Sequence, residues 1–137
     1  MYTLDINFVV VILAAIASMA LGMIWYSPIG FGKKWMSLVG VSVDAKPKGA
    51  MKSYFLSFFA AIIMAYVLSL FIINAPPVSI SSAIQIAFWV WIGFVATTNI
   101  SEYLFSPTPK PMALFVLNAG YHLASLMTMA IVISIWG

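Results

Sequence analysis

The chain has 137 residues, 64% of them apolar and 7% charged, with no cysteine and no arginine. An ordinary soluble domain is about 45–50% apolar and about 25% charged, so too little polar surface is present here to cover a water-soluble globule, and the composition describes an all-α, polytopic membrane protein. The lack of thiols excludes disulfides, thiolate metal sites and thiol redox chemistry, and a net charge of +3 carried by lysines points to a membrane surface and not to nucleic acid.

At a rise of 1.5 Å per residue, a hydrocarbon core of about 30 Å takes a helix of roughly 20 residues. Uncharged stretches cover residues 6–32, 53–101 and 111–137. The middle one is too long for a single span and breaks at Asn74-Ala75-Pro76-Pro77, where two prolines remove amide donors and force an extended exit. Four transmembrane helices are therefore expected near residues 7–26, 53–73, 82–105 and 112–136, forming one compact bundle over residues 1–137. Uniform apolarity over each run excludes the dyad alternation of a barrel strand. Ala15-Ile16-Ala17 resembles a signal cleavage site, but the residues before it carry Asp5 and no basic residue, so the first helix is read as retained.

The loop after the first helix, residues 27–52, holds Lys33, Lys34, Lys46, Lys48 and Lys52; the second loop holds no lysine and the third holds Lys110. By the positive-inside rule the first and third loops are cytoplasmic and both termini lie outside. Within the first loop, Trp35, Leu38 and Val39 stand at i, i+3 and i+4 beside Lys33 and Lys34, the pattern of a short helix in the headgroup layer. Its lysines either contact anionic lipid or serve orientation alone. Gly30-Phe31-Gly32-Lys33 lacks the spacing and the Ser or Thr of a phosphate-binding loop.

Small residues recur at four-residue intervals: Ala14, Ser18, Gly22; Ser57, Ala61, Ala65, Ser69; Gly93, Thr97, Ser101; and Gly120, Ala124, Thr128. Lipid offers helices no hydrophobic incentive to associate, so these ridges predict close backbone packing within the bundle and between subunits.

Two ionisable residues, Glu102 and His122, fall inside the helical runs. Ionisable groups at membrane depth are costly when unpaired, which makes each a candidate functional residue. Glu102 lies about one turn from the end of the third helix and His122 about 15 Å into the fourth. Asn99 precedes Glu102 by three residues and Asn118 precedes His122 by four, so each pair shares a face. If the third turn is centred near Thr108 and Pro109, Asn99 and Asn118 are level and can bond to each other. The candidate polar face is thus Asn99, Glu102, Asn118, Tyr121, His122 and Ser125, with Glu102 at its mouth in reach of Tyr26 or a loop lysine. It is either a proton or ligand path or polar glue between helices. One histidine and three acids provide no convincing metal set or catalytic triad, so no enzyme, metal or cofactor is expected.

The stretch from Gly22 to Met36, containing Trp25-Tyr26-Ser27-Pro28, then Phe31-Gly32-Lys33 and Trp35-Met36, resembles the signature of the membrane-protein family known as domain of unknown function 1761. Trp91-Ile92-Gly93-Phe94 with Thr97 and Thr98, and the segment from Tyr121-His122 to Trp136-Gly137, resemble the same family more loosely, so the likeness spans nearly the whole chain. Lys34 departs from the pattern, in which a small residue or proline is expected. The resemblance implies a four-helix protein of a bacterial-type plasma membrane and supplies no activity. The expected role is that of a non-enzymatic accessory protein, as a homo-oligomer or a subunit of a larger complex; the alternative is a small transporter or channel using the polar face.

Overall fold

The computed structural model describes residues 3–39, 50–106 and 111–137. The elements are α1 (Phe8–Trp25), α2 (Gly32–Val39), α3 (Ala50–Ile73), α4 (Ile80–Val90), a π-helical segment (Trp91–Ala96), α5 (Thr97–Leu104) and α6 (Met112–Trp136). Four spans are long and apolar enough to cross a membrane: Phe8–Trp25, Met51–Ile73, Ile80–Leu104 and Met112–Trp136. The third span is α4, the π segment and α5 in series, and no strand occurs among the described residues.

Local chemistry accounts for the boundaries. Asn7 caps α1, its side-chain oxygen accepting from the amides of Val9 and Val10. Ser79 and Ser82 close a reciprocal capping box at the start of α4. At the end of α3, Asn74 bonds the Leu70 carbonyl at 2.8 Å and also accepts from the Thr3 amide at 2.7 Å, tying the N-terminal segment to the second loop. Both termini therefore share one end of the bundle with that loop, and Lys33, Lys34, Lys52 and Glu102 lie at the other end. Lys46, Lys48 and Lys110, and the turn at Thr108 and Pro109, fall outside the described residues.

The core is concentrated in the half nearest the termini, where Val11, Ala14 and Ala15 of α1, Ala65 and Ile72 of α3, Ala83 and Ala87 of α4, and Met129 and Ala130 of α6 are almost fully buried. Alanines at these crossings let backbones approach closely, which is what apolar helices need where lipid competes equally for larger side chains. α6 is the central strut, touching α1, α3, α4 and α5. Most of the small-residue ridges on α1 and α3 turns inward and the ridge on α6 is half-buried, but Gly93, Thr97 and Ser101 are exposed, and a side chain added at Gly93 would meet no atom within 4 Å. The third span packs through Ala83 and Ala87 instead.

The π segment contributes to that difference. A wider turn shifts the 3.6-residue phase, so the buried face that begins at Ala83 and Ala87 continues through Trp91, Val95 and Ala96, and Gly93, Thr97 and Ser101 are left outward. Thr97 and Thr98 donate to the Gly93 and Phe94 carbonyls at 2.8 and 2.6 Å, which strengthens the bonding of the widened backbone. The indole of Trp91 donates to the Ala119 carbonyl at 2.8 Å and pins the segment to α6.

Candidate functional site

The polar and aromatic residues gather where the end of α1, the turn before α2, α5 and α6 meet. Pro28 stops the first helix, and the chain folds back under it: the amides of Gly30 and Gly32 both reach the Ser27 carbonyl at 3.0 Å, and Phe31 bonds the Trp25 carbonyl at 2.6 Å. A Cβ at Gly30 would strike the carbonyl of Ile24, and one at Gly32 would strike that of Tyr26, so these two glycines permit the close approach. The turn packs Phe31 on Trp25, with ring centres 4.7 Å apart, and sets Trp35 edge-on to Tyr26 at 5.9 Å. In α2, Trp35 and Leu38 are half-buried, while Val39, Lys33 and Lys34 are exposed.

Asn118 is the hub. Tyr26 donates to its carbonyl oxygen at 2.7 Å, and its amide nitrogen donates to the Tyr103 hydroxyl at 2.9 Å. Burial, and then the neighbouring phenols of Tyr121 and Tyr103, push the Tyr26 phenol above its ordinary range, which keeps it a donor. Tyr103, rather than Asn99, is the partner from the third span. A phenol reaches farther than a carboxamide, and Tyr103 is steadied edge-on against Phe115 at 5.4 Å. Asn99 is half-buried and makes no hydrogen bond among the described residues.

A second cluster lies deeper. Ser18 and Ser125, both buried, share a hydrogen bond of 2.6 Å, and the Tyr121 hydroxyl points to the Ser18 carbonyl at 3.4 Å. Tyr121 joins the clusters, its ring standing 5.3 Å from Tyr26 and 6.2 Å from Trp25. His122 is half-buried with its ring 5.4 Å from Tyr121 and makes no hydrogen bond among the described residues. Glu102 is exposed and has no ion pair among them; Tyr26, its expected neighbour, is engaged by Asn118. The indole nitrogen of Trp25 is buried without a partner among the described residues. No group of three His, Asp or Glu side chains able to hold a metal occurs among them either.

The polar series thus consists of two bonded groups, Tyr103–Asn118–Tyr26 and Tyr121–Ser18–Ser125, which meet through the rings of Tyr26 and Tyr121 without a hydrogen bond between them, while Asn99, Glu102 and His122 stand beside it. Sequence reasoning did not single out Tyr103 and Ser18 as part of this series. The available signals were the i+4 spacing of Tyr103 from Asn99 and the place of Ser18 in a ridge where a hydroxyl at membrane depth needs a partner.

This architecture defines a small helical integral membrane protein whose interhelical contacts combine an alanine-rich core with an aromatic and amide cluster at one end. The chain belongs to the family described as protein of unknown function (DUF1761), whose model matches residues 9–134. No curated protein and no solved structure matches it.

Proposed function

We propose that the protein is a non-enzymatic, multi-pass component of a bacterial-type plasma membrane that acts as a homo-oligomer or as a subunit of a larger membrane complex. The observation supporting this reading is the third span. Only 17% of its most apolar window is buried in the bundle, against 39% for the fourth span, and its outward side carries Gly93, Thr97, Ser101 and Glu102. A polar, small-residue surface is a poor lipid face and a good helix-docking face. Native mass spectrometry of the detergent-solubilised protein should show more than one copy, or a co-purified membrane subunit. Gly93→Leu combined with Ser101→Leu should release single chains that remain folded; a wild-type protein that is a lone monomer counts against the reading.

The reading places both termini outside and the lysine-bearing loop in the cytoplasm, supported by lysines at one end of the bundle and Asp5 at the other. A cysteine introduced at Ser81 should react with an impermeant maleimide in intact cells, and one at Ser37 only after the membrane is opened. The reverse pattern would invert the topology.

The transport reading is favoured by one arrangement, the polar series that reaches from Tyr103 inward to the Ser18 and Ser125 pair. With the hydroxyls and amide bonded within two groups that meet only through the Tyr26 and Tyr121 rings, the same series serves as interhelical glue, and proton flux in liposomes decides between the two readings.

A further inference from the structure

α3 stands away from the bundle at the lysine-bearing end. Its residues 51–57 are all exposed, whereas Ala61, Ala65, Leu68, Ser69 and Ile72 are buried farther along. α1 and α3 therefore enclose a wedge that opens toward the lysines, a cavity of about 420 Å³ with Gly22 and Met23 on one wall, Tyr54 and Ser57 on the other, and Tyr26 and Tyr121 lining it as well. Along α1 and α3 it adjoins an apolar hollow that includes Ile16, Phe55 and Phe58 and shares Met23 and Tyr54 with the wedge.

We propose that this wedge holds one anionic phospholipid of the adjoining leaflet, its headgroup at the lysines and an acyl chain along the apolar hollow. Three features of the surface match that molecule. The hydroxyls of Tyr54 and Ser57 make no hydrogen bond among the described residues and are available to phosphate or ester oxygens. Lys33 and Lys34 lie on α2, whose Trp35 packs against Tyr26 of the wall, while Lys52 starts from the far side of α3 from Tyr54 and reaches the headgroup layer through its long stem; all three lysines are exposed without an ion pair among the described residues. The hollow also gives the wedge an apolar flank along its length, from Met51 past Phe55 and Phe58 to Ile16, which suits an acyl chain beside a polar wall.

The test titrates phosphatidylglycerol or phosphatidylcholine of the same chain length into the delipidated, detergent-solubilised protein and counts retained lipid by native mass spectrometry. Wild type should retain one phosphatidylglycerol at roughly fivefold lower concentration than phosphatidylcholine for each lysine engaged. Lys33→Gln, Lys34→Gln and Lys52→Gln together should bring the two lipids to parity. Ser57→Trp, or Ser57→Leu if the larger ring prevents folding, should abolish retention at an unchanged melting temperature. Equal retention of both lipids by wild type, or retention unaffected by filling the wedge, would overturn the proposal. So would a dimer that the Ser57 substitutions convert to monomers, since the wedge would then hold a second copy.

Discussion

Gly32→Ala should destabilise the protein by about 3 kcal/mol, the upper range for forcing atoms into a filled site, and should lower the melting temperature followed by tryptophan fluorescence. The new Cβ would fall on the Tyr26 carbonyl oxygen and within 2.7 Å of the Ser27 carbonyl oxygen. Both are backbone atoms held by the turn, in which the Ser27 carbonyl accepts two amides and the Ser27 hydroxyl bonds the Ile24 carbonyl at 2.7 Å, so neither side can yield cheaply. Opening the turn would also pull Phe31 off Trp25 and Trp35 off Tyr26. Gly93→Ala is the contrasting case. Open space surrounds that position, and alanine is the better helix former, so the melting temperature should hold or rise slightly. Equal losses in the two variants would mean that the turn is not built on close approach at Gly32.

The four spans were readable because hydrophobicity over some twenty residues is a property of the local chain, and Pro76 and Pro77 divide the long apolar stretch wherever the rest of the protein lies. The short helix at Gly32–Val39 was readable for a similar reason, its apolar and lysine positions having a helical period. Which side of a span turns inward is a different kind of fact. Gly93, Thr97 and Ser101 have the spacing of a packing ridge, yet the π segment alters the helical phase at that place, and Ala83 and Ala87 make the contact. Nothing local in Trp91–Ala96 distinguishes a π turn from an α turn; the indole bond to Ala119 on another helix helps to hold it. The same limit applied to the polar cluster. Helical spacing singled out Asn118 and matched depth suggested Asn99 as its partner, but the length of the side chains decides what meets, and Tyr103 arrives first.

Asn118→Leu should have the larger effect among substitutions in the polar cluster, because it removes both bonds and leaves the part-buried Tyr26 hydroxyl with no acceptor. A hydrogen bond between membrane helices averages about 0.6 kcal/mol, whereas a buried polar group left unsatisfied costs about 1–3 kcal/mol, so the loss should exceed two average bonds and reach roughly 2–3 kcal/mol. Two consequences separate this account from a general packing defect. Tyr26→Phe, which removes the donor together with its need for an acceptor, should cost less than Asn118→Leu, and the double variant should cost clearly less than the sum of the single ones. Additive losses would show that the Tyr26 and Asn118 bond contributes little. The same proteins, reconstituted in liposomes with an imposed proton gradient, decide between glue and path. If the cluster is glue, stability or oligomer yield falls in Asn118→Leu and changes little in His122→Phe, while ion or substrate flux stays at the wild-type level in both. If it is a path, Glu102→Gln and His122→Phe abolish proton-coupled flux in protein that remains folded and assembled. The geometry predicts the first outcome, since Glu102 and His122 make none of these bonds and the bonded groups themselves are interrupted between Tyr26 and Tyr121.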